Sequence, residues 1–108
     1  MTKLKVNCNE FRYCLEENIC CPICGSGYLH QKSLESWFRN EGDQNANHVL
    51  TSINGTFVDN SNERNPSNYR DGILIRFWCE ECSAEPILAI IQHKGSTYID
   101  LHLQPNAN

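Results

Sequence analysis

Two Cys-x-x-Cys pairs dominate this sequence: Cys21/Cys24 inside C-P-I-C-G and Cys79/Cys82 inside C-E-E-C, separated by more than half the chain. Such spacing lets one tight turn present two sulfurs to a single ion while the turn's backbone N–H groups point at them. Two such turns complete a tetrahedral sulfur shell, the closed arrangement of a structural zinc site. A fold that unites the pairs must bring the chain back close to its own beginning. The cysteines therefore constrain topology as well as chemistry.

The rest of the composition decides how those thiols are to be read. The chain has 108 residues, the size of one domain with a thin core. Its mean hydropathy is -0.52, and no apolar run approaches the roughly 20 residues that cross a bilayer as a helix. The opening M-T-K-L-K-V-N-C-N-E has two lysines with no apolar stretch behind them, which reads as a cytoplasmic protein without a secretory signal. Thiols are kept reduced there, so clustered cysteines point to metal or redox chemistry before structural disulfides. The total of seven is odd; four ligands and three bystanders, Cys8, Cys14 and Cys20, account for it. The formal charge is -4, and four thiolates around one Zn²⁺ take it to -6. That balance argues against nonspecific nucleic-acid binding, which depends on neutralising phosphates.

Leu4, Cys8, Phe11 and Leu15 recur at helical spacing, and Asn7 with Glu10 resembles a capping arrangement, which predicts a short N-terminal helix over about 7–17. Cys8 on that face reads as a small buried hydrophobe, and a second metal site built on Cys8 and Cys14 is a lesser alternative. Residues 40–47 read as a loop. His48–Ile53 and Thr56–Asn60 flank Asn54-Gly55, a dipeptide suited to a type I′ turn that sets Ile53 opposite Thr56. Residues 59–72 are a long polar loop, of a length that is usually functional or disordered. Ile73–Trp78, apolar apart from Arg76, reads as a central strand that delivers Cys79. Pro86–Gln92 and Thr97–Leu103 read as a hairpin around His93-Lys94-Gly95, with Gly95 in the left-handed conformation.

The C-P-I-C-G and C-E-E-C knuckles resemble those of the zinc ribbon family. The resemblance implies a mostly β fold of antiparallel, ribbon type with the N-terminal helix beside it (α+β in the wider sense). It also implies one structural zinc on Cys21, Cys24, Cys79 and Cys82. Residues 25–78 are then a long insert between the knuckles of a single domain spanning 1–108, and Ser83 stands where Gly is common. The same four sulfurs suit a rubredoxin-like iron centre, with zinc the preferred occupant. The order of elements across residues 21–101 is also similar to a group of small bacterial and phage proteins of no assigned activity, which implies a mobile-element origin.

No H-E-x-x-H, G-x-S-x-G or phosphate-cradling glycine loop is present, so the expected role is non-enzymatic. The leading reading is a binding module for a protein partner, such as an adaptor or a phage-borne inhibitor of a host defence machine. Arg64 and Arg70 flank an Asn/Ser/Tyr-rich turn, and with Arg76, His93 and Lys94 they are candidates for anion or partner contact. The basic loop over 63–76 carries the alternative of a nucleic-acid-binding ribbon.

Overall fold

The computed structural model describes residues 18–103. The mostly antiparallel β class holds. Strands β1 (Leu29–Phe38), β2 (Asn47–Ser52), β3 (Gly55–Asp59), β4 (Gly72–Cys79), β5 (Pro86–His93) and β6 (Ser96–Leu103) form one sheet in the order β3-β2-β1-β4-β5-β6, with every adjacent pair antiparallel. The N-terminal helix predicted over 7–17 lies outside the described residues, as do Cys8 and Cys14. Among the described residues, no helix is long and apolar enough to cross a membrane.

The stretch read as an insert carries β1, β2, β3 and nearly all of β4. Its centre is β1, which joins β2 on one side and β4 on the other. Between Gln31 and Ser33 the β1–β4 register shifts, so Lys32 is an extra residue that resets which side chains face inward. Both faces of the sheet hold buried apolar residues. Register puts Trp37, Leu74, Ala89 and Ile87 on one face, where Ala46 joins them and Ile91 packs against the cluster. Phe77, Leu88 and Leu101 share the opposite face, joined by Ile19, Leu29, Ile75 and Ile99. Each fully buried large side chain of this kind contributes about 1.5–3 kcal/mol.

The polar segment after β3 is ordered by its own side chains. Ser67 is buried; its Oγ donates to the Gln92 carbonyl and accepts from the Tyr69 and Arg70 N–H groups. Gln92 N–H donates in turn to the Asp71 carbonyl, tying the segment to the end of β5. Gly72 marks the point of closest approach: a Cβ there would stand 2.2 Å from Asn65 Oδ1 and 2.7 Å from the Pro66 ring. Only glycine admits the segment so near β4.

Both predicted turns differ in detail. In the β2–β3 hairpin Thr51 pairs with Thr56 and Ser52 with Gly55, so the loop is Ile53-Asn54 and the predicted register is off by two residues. The positive φ falls on Gly55 (125°), after the turn, and Asn54 has none, so the turn is not type I′. Ile53, expected on the strand, is almost wholly exposed at the tip. In the β5–β6 hairpin His93 pairs with Ser96, leaving a two-residue loop in which Lys94 (φ 55°) takes the left-handed conformation expected of Gly95.

Candidate metal centre

The antiparallel pairing of β1 with β4 brings the cysteine pairs together. Leu29, at the start of β1, lies opposite Cys79 at the end of β4, and Glu80 N–H donates to the Tyr28 carbonyl at 3.1 Å. The first pair therefore enters the sheet beside the point where the second leaves it. Ile19, packed against the Phe77, Leu88 and Leu101 cluster, anchors the chain just ahead of Cys21.

The two knuckles are built alike. In the first, Cys21 N–H donates to the Ser26 carbonyl (2.8 Å), Gly25 N–H to the Cys21 carbonyl (2.9 Å) and Ile23 N–H to Cys21 Sγ (3.4 Å). In the second, the bonds recur at equivalent positions: Cys79 N–H to Ala84 O (2.9 Å), Ser83 N–H to Cys79 O (3.3 Å) and Glu81 N–H to Cys79 Sγ (3.4 Å). The fifth position of each turn is left-handed, with φ of 80° at Gly25 and 64° at Ser83. Ser83 thus adopts the conformation that glycine takes without a steric penalty.

The four sulfurs lie within 4.8 Å of one another, with Cys21 Sγ 3.7 Å from Cys82 Sγ and Cys24 Sγ 3.6 Å from Cys79 Sγ. A tetrahedron with metal–sulfur bonds of about 2.3 Å has edges of about 3.8 Å. Cys21 and Cys79 are buried, Cys82 is half-buried and Cys24 is exposed. The geometry and the all-thiolate donor set both fit one tetrahedral ion.

The electrostatics favour the same conclusion. Cys79 is lowered to about 7: burial opposes ionisation, but the backbone N–H groups of Cys82 and Glu81 at its sulfur, together with hydrogen bonds from the Cys24 and Cys82 thiols, outweigh it. Cys82 is pushed up to about 12, because burial and the crowding thiols of Cys24, Cys21 and Cys79 override the favourable N–H of Ala84. Cys24 is raised as well; the Ser26 N–H favours its thiolate, and burial with the neighbouring Cys79 and Cys21 thiols prevails. The first thiolate forms readily and each further one is resisted by those already present. A bound cation removes that resistance. Cys20 stays outside the group, its thiol raised by burial and by the adjacent Cys21.

The arginines predicted for anion contact are each matched with a carboxylate. Arg76 reaches Glu35 Oε1 at 2.8 Å and Arg64 reaches Glu35 Oε2 at 2.5 Å, while Arg70 pairs with Glu41 at 2.5 Å. His93 closes β5 and Lys94 occupies the β5–β6 turn. Sequence reasoning missed Glu35, which is fully buried in β1, and the pairings that run from it to His48 and from His48 to Asp59. A lone Glu in a polar run gives no sign that three cationic side chains from distant segments will converge on it.

No family model matches the chain, and no curated protein or solved structure matches it.

Proposed function

We propose that the chain is a small, non-enzymatic zinc-binding module of ribbon type that presents its metal-bearing end to a protein partner. The sulfur tetrahedron carries the metal part of this reading, since four thiols packed this closely ionise together only around a cation. Cys21, Cys24, Cys79 and Cys82 would hold the ion. Zinc suits four sulfurs in a closed site, and iron is the competing occupant.

The character of the surface around the site supports the partner. Ile23, Tyr28 and Trp78 are large apolar side chains left 58%, 63% and 41% exposed. Trp78 stacks on His30 with ring centroids 4.1 Å apart and planes 7° from parallel. Glu80, bonded to His30 at 2.7 Å, is exposed there, as is Glu81 within the second knuckle, and four thiolates around a divalent ion add two further negative charges. Aromatic anchors within a polar, charged rim are the usual makeup of a protein-binding surface. The nucleic-acid reading loses its main support because Arg64, Arg70 and Arg76 are already paired with Glu35 and Glu41.

Metal analysis of freshly purified untagged protein, followed by proximity cross-linking from position 23 or 28 in the native host, tests both parts. One zinc per chain and a single cross-linked protein that is lost on Trp78→Ala are expected. A red, iron-containing sample, or cross-links that ignore Trp78, would overturn the corresponding part. Filter binding to DNA or RNA at two salt concentrations should show no steep salt dependence.

A further inference from the structure

His48 lies between two carboxylates. Its Nε2 is 2.6 Å from Glu35 Oε2 and its Nδ1 is 2.7 Å from Asp59 Oδ1. Ionised carboxylates only accept hydrogen bonds, so each contact requires an N–H on the ring, and neutral imidazole has one where imidazolium has two. The side chain is 11% exposed and its ring stacks on Trp37, centroids 4.9 Å apart and planes 11° from parallel. Among the described residues the charged groups facing this site are Glu35 from β1, Asp59 from β3, Arg76 from β4 and Arg64 from the segment after β3, and both arginines bond to Glu35.

We propose that His48 is held as an imidazolium and acts as a pH-sensitive clasp that fastens the edge strand β3 to the body of the sheet. The two carboxylates are unequal. The Glu35 side chain is fully buried and held by Arg64 and Arg76, so it cannot leave; that of Asp59 is 58% exposed and can turn to water. When the ring loses a proton, Nε2–H stays on Glu35 and a lone pair at Nδ1 faces the Asp59 carboxylate. Asp59 then swings away. Among the described residues strand β3 pairs with β2 alone, so it is the strand that loosens.

The direction with pH follows from the partners. Burial works to lower the His48 value, but its hydrogen bonds to Glu35 and Asp59 and their negative charge raise it above the usual histidine range. The clasp's stability is therefore complete below the unfolded histidine value of about 6.5 and is lost as pH rises through the higher folded value. Asp59 is lowered, by the Ser61 N–H first and His48 second, so its contribution is lost only in acid, as pH falls below the unfolded aspartate value of about 3.9.

Histidine ¹⁵N NMR on the metal-loaded full chain, from about pH 5.5 to pH 9.5, reads both ring nitrogens directly. Both nitrogens of His48 should be protonated at pH 7.5. Amide protection in β3, corrected for intrinsic exchange, should fall about tenfold relative to β5 as His48 titrates, the worth of one hydrogen bond to a charged group. Asp59→Asn, at an exposed rim position, should lower the His48 midpoint and abolish the pH dependence of β3 protection. A neutral His48 tautomer at pH 7.5, a midpoint unmoved by Asp59→Asn, or β3 protection indifferent to His48 titration would each overturn the proposal.

Discussion

The metal end and the middle of the sheet pose the same physical problem and solve it differently. At the knuckles four thiols converge; around Glu35 a buried carboxylate and the nearby Asp59 converge. In the sheet the chain supplies its own counter-charges, Arg64, Arg76 and His48, drawn from the segment after β3, from β4 and from β2. At the knuckles, among the described residues, it supplies backbone N–H groups, two of them bonded to Cys21 and Cys79 sulfurs. Partial dipoles ease the ionisation of Cys79 and leave those of Cys24 and Cys82 opposed, as the contrast between Cys79 at about 7 and Cys82 at about 12 expresses. One cluster has its counter-charges among the described residues, and the other is a four-cysteine group that could hold an ion from outside.

Removing a ligand breaks the comparison most severely. Cys79→Ser should abolish stoichiometric metal uptake and unfold the knuckle end, because binding and folding free energy are one quantity at such sites. Loss of the single metal equivalent together with loss of NMR dispersion around Leu29, Phe77 and Leu88 checks this. In the self-sufficient cluster, Glu35→Ala should cost about 3–5 kcal/mol, since it strands three cationic groups around an empty carboxylate position. Urea unfolding of the metal-loaded protein measures that, and metal stoichiometry should stay unchanged. If Glu35→Ala also abolished metal uptake, the two regions could not be treated as separate.

The knuckles can also be compared with each other. Ser83 and Gly25 occupy equivalent left-handed positions, so Ser83→Gly should stabilise by up to about 1 kcal/mol and Gly25→Ala should destabilise by about 1–2 kcal/mol. Thermal unfolding of the two variants tests the equivalence; effects of the same sign would refute it. The smallest change is expected at Lys32–Glu85, a 3.0 Å pair whose side chains are about half exposed. Lys32→Ala there should shift stability by less than about 1 kcal/mol.

Legibility of the sequence follows the same division. The cysteine pairs could be read because a fixed spacing carries its own geometry. Strands β4, β5 and β6 could be read because Ile73–Phe77, Pro86–Ile91 and the alternation Ile99/Leu101 are written in apolar residues. Strand β1 was not legible. Its run LHQKSLESWF puts a charged Glu35 at a fully buried position, and the extra residue Lys32 interrupts the alternation. The β2–β3 register was misjudged because Asn54-Gly55 signals a turn at its centre, whereas Gly55 takes its positive φ one step later and leaves Ile53 at the tip. The arginines were recognised as chemically notable, but their partners Glu35 and Glu41 are distant in sequence and only the fold supplies them.

The claim that the knuckles, unlike the Glu35 cluster, need a cation from outside is tested most directly by native mass spectrometry before and after exhaustive chelation, read alongside circular dichroism. One zinc per chain is expected in the native protein, with β structure lost on its removal and regained when one equivalent is restored. A metal-free chain whose spectrum and unfolding midpoint do not change with chelator or added zinc would contradict it.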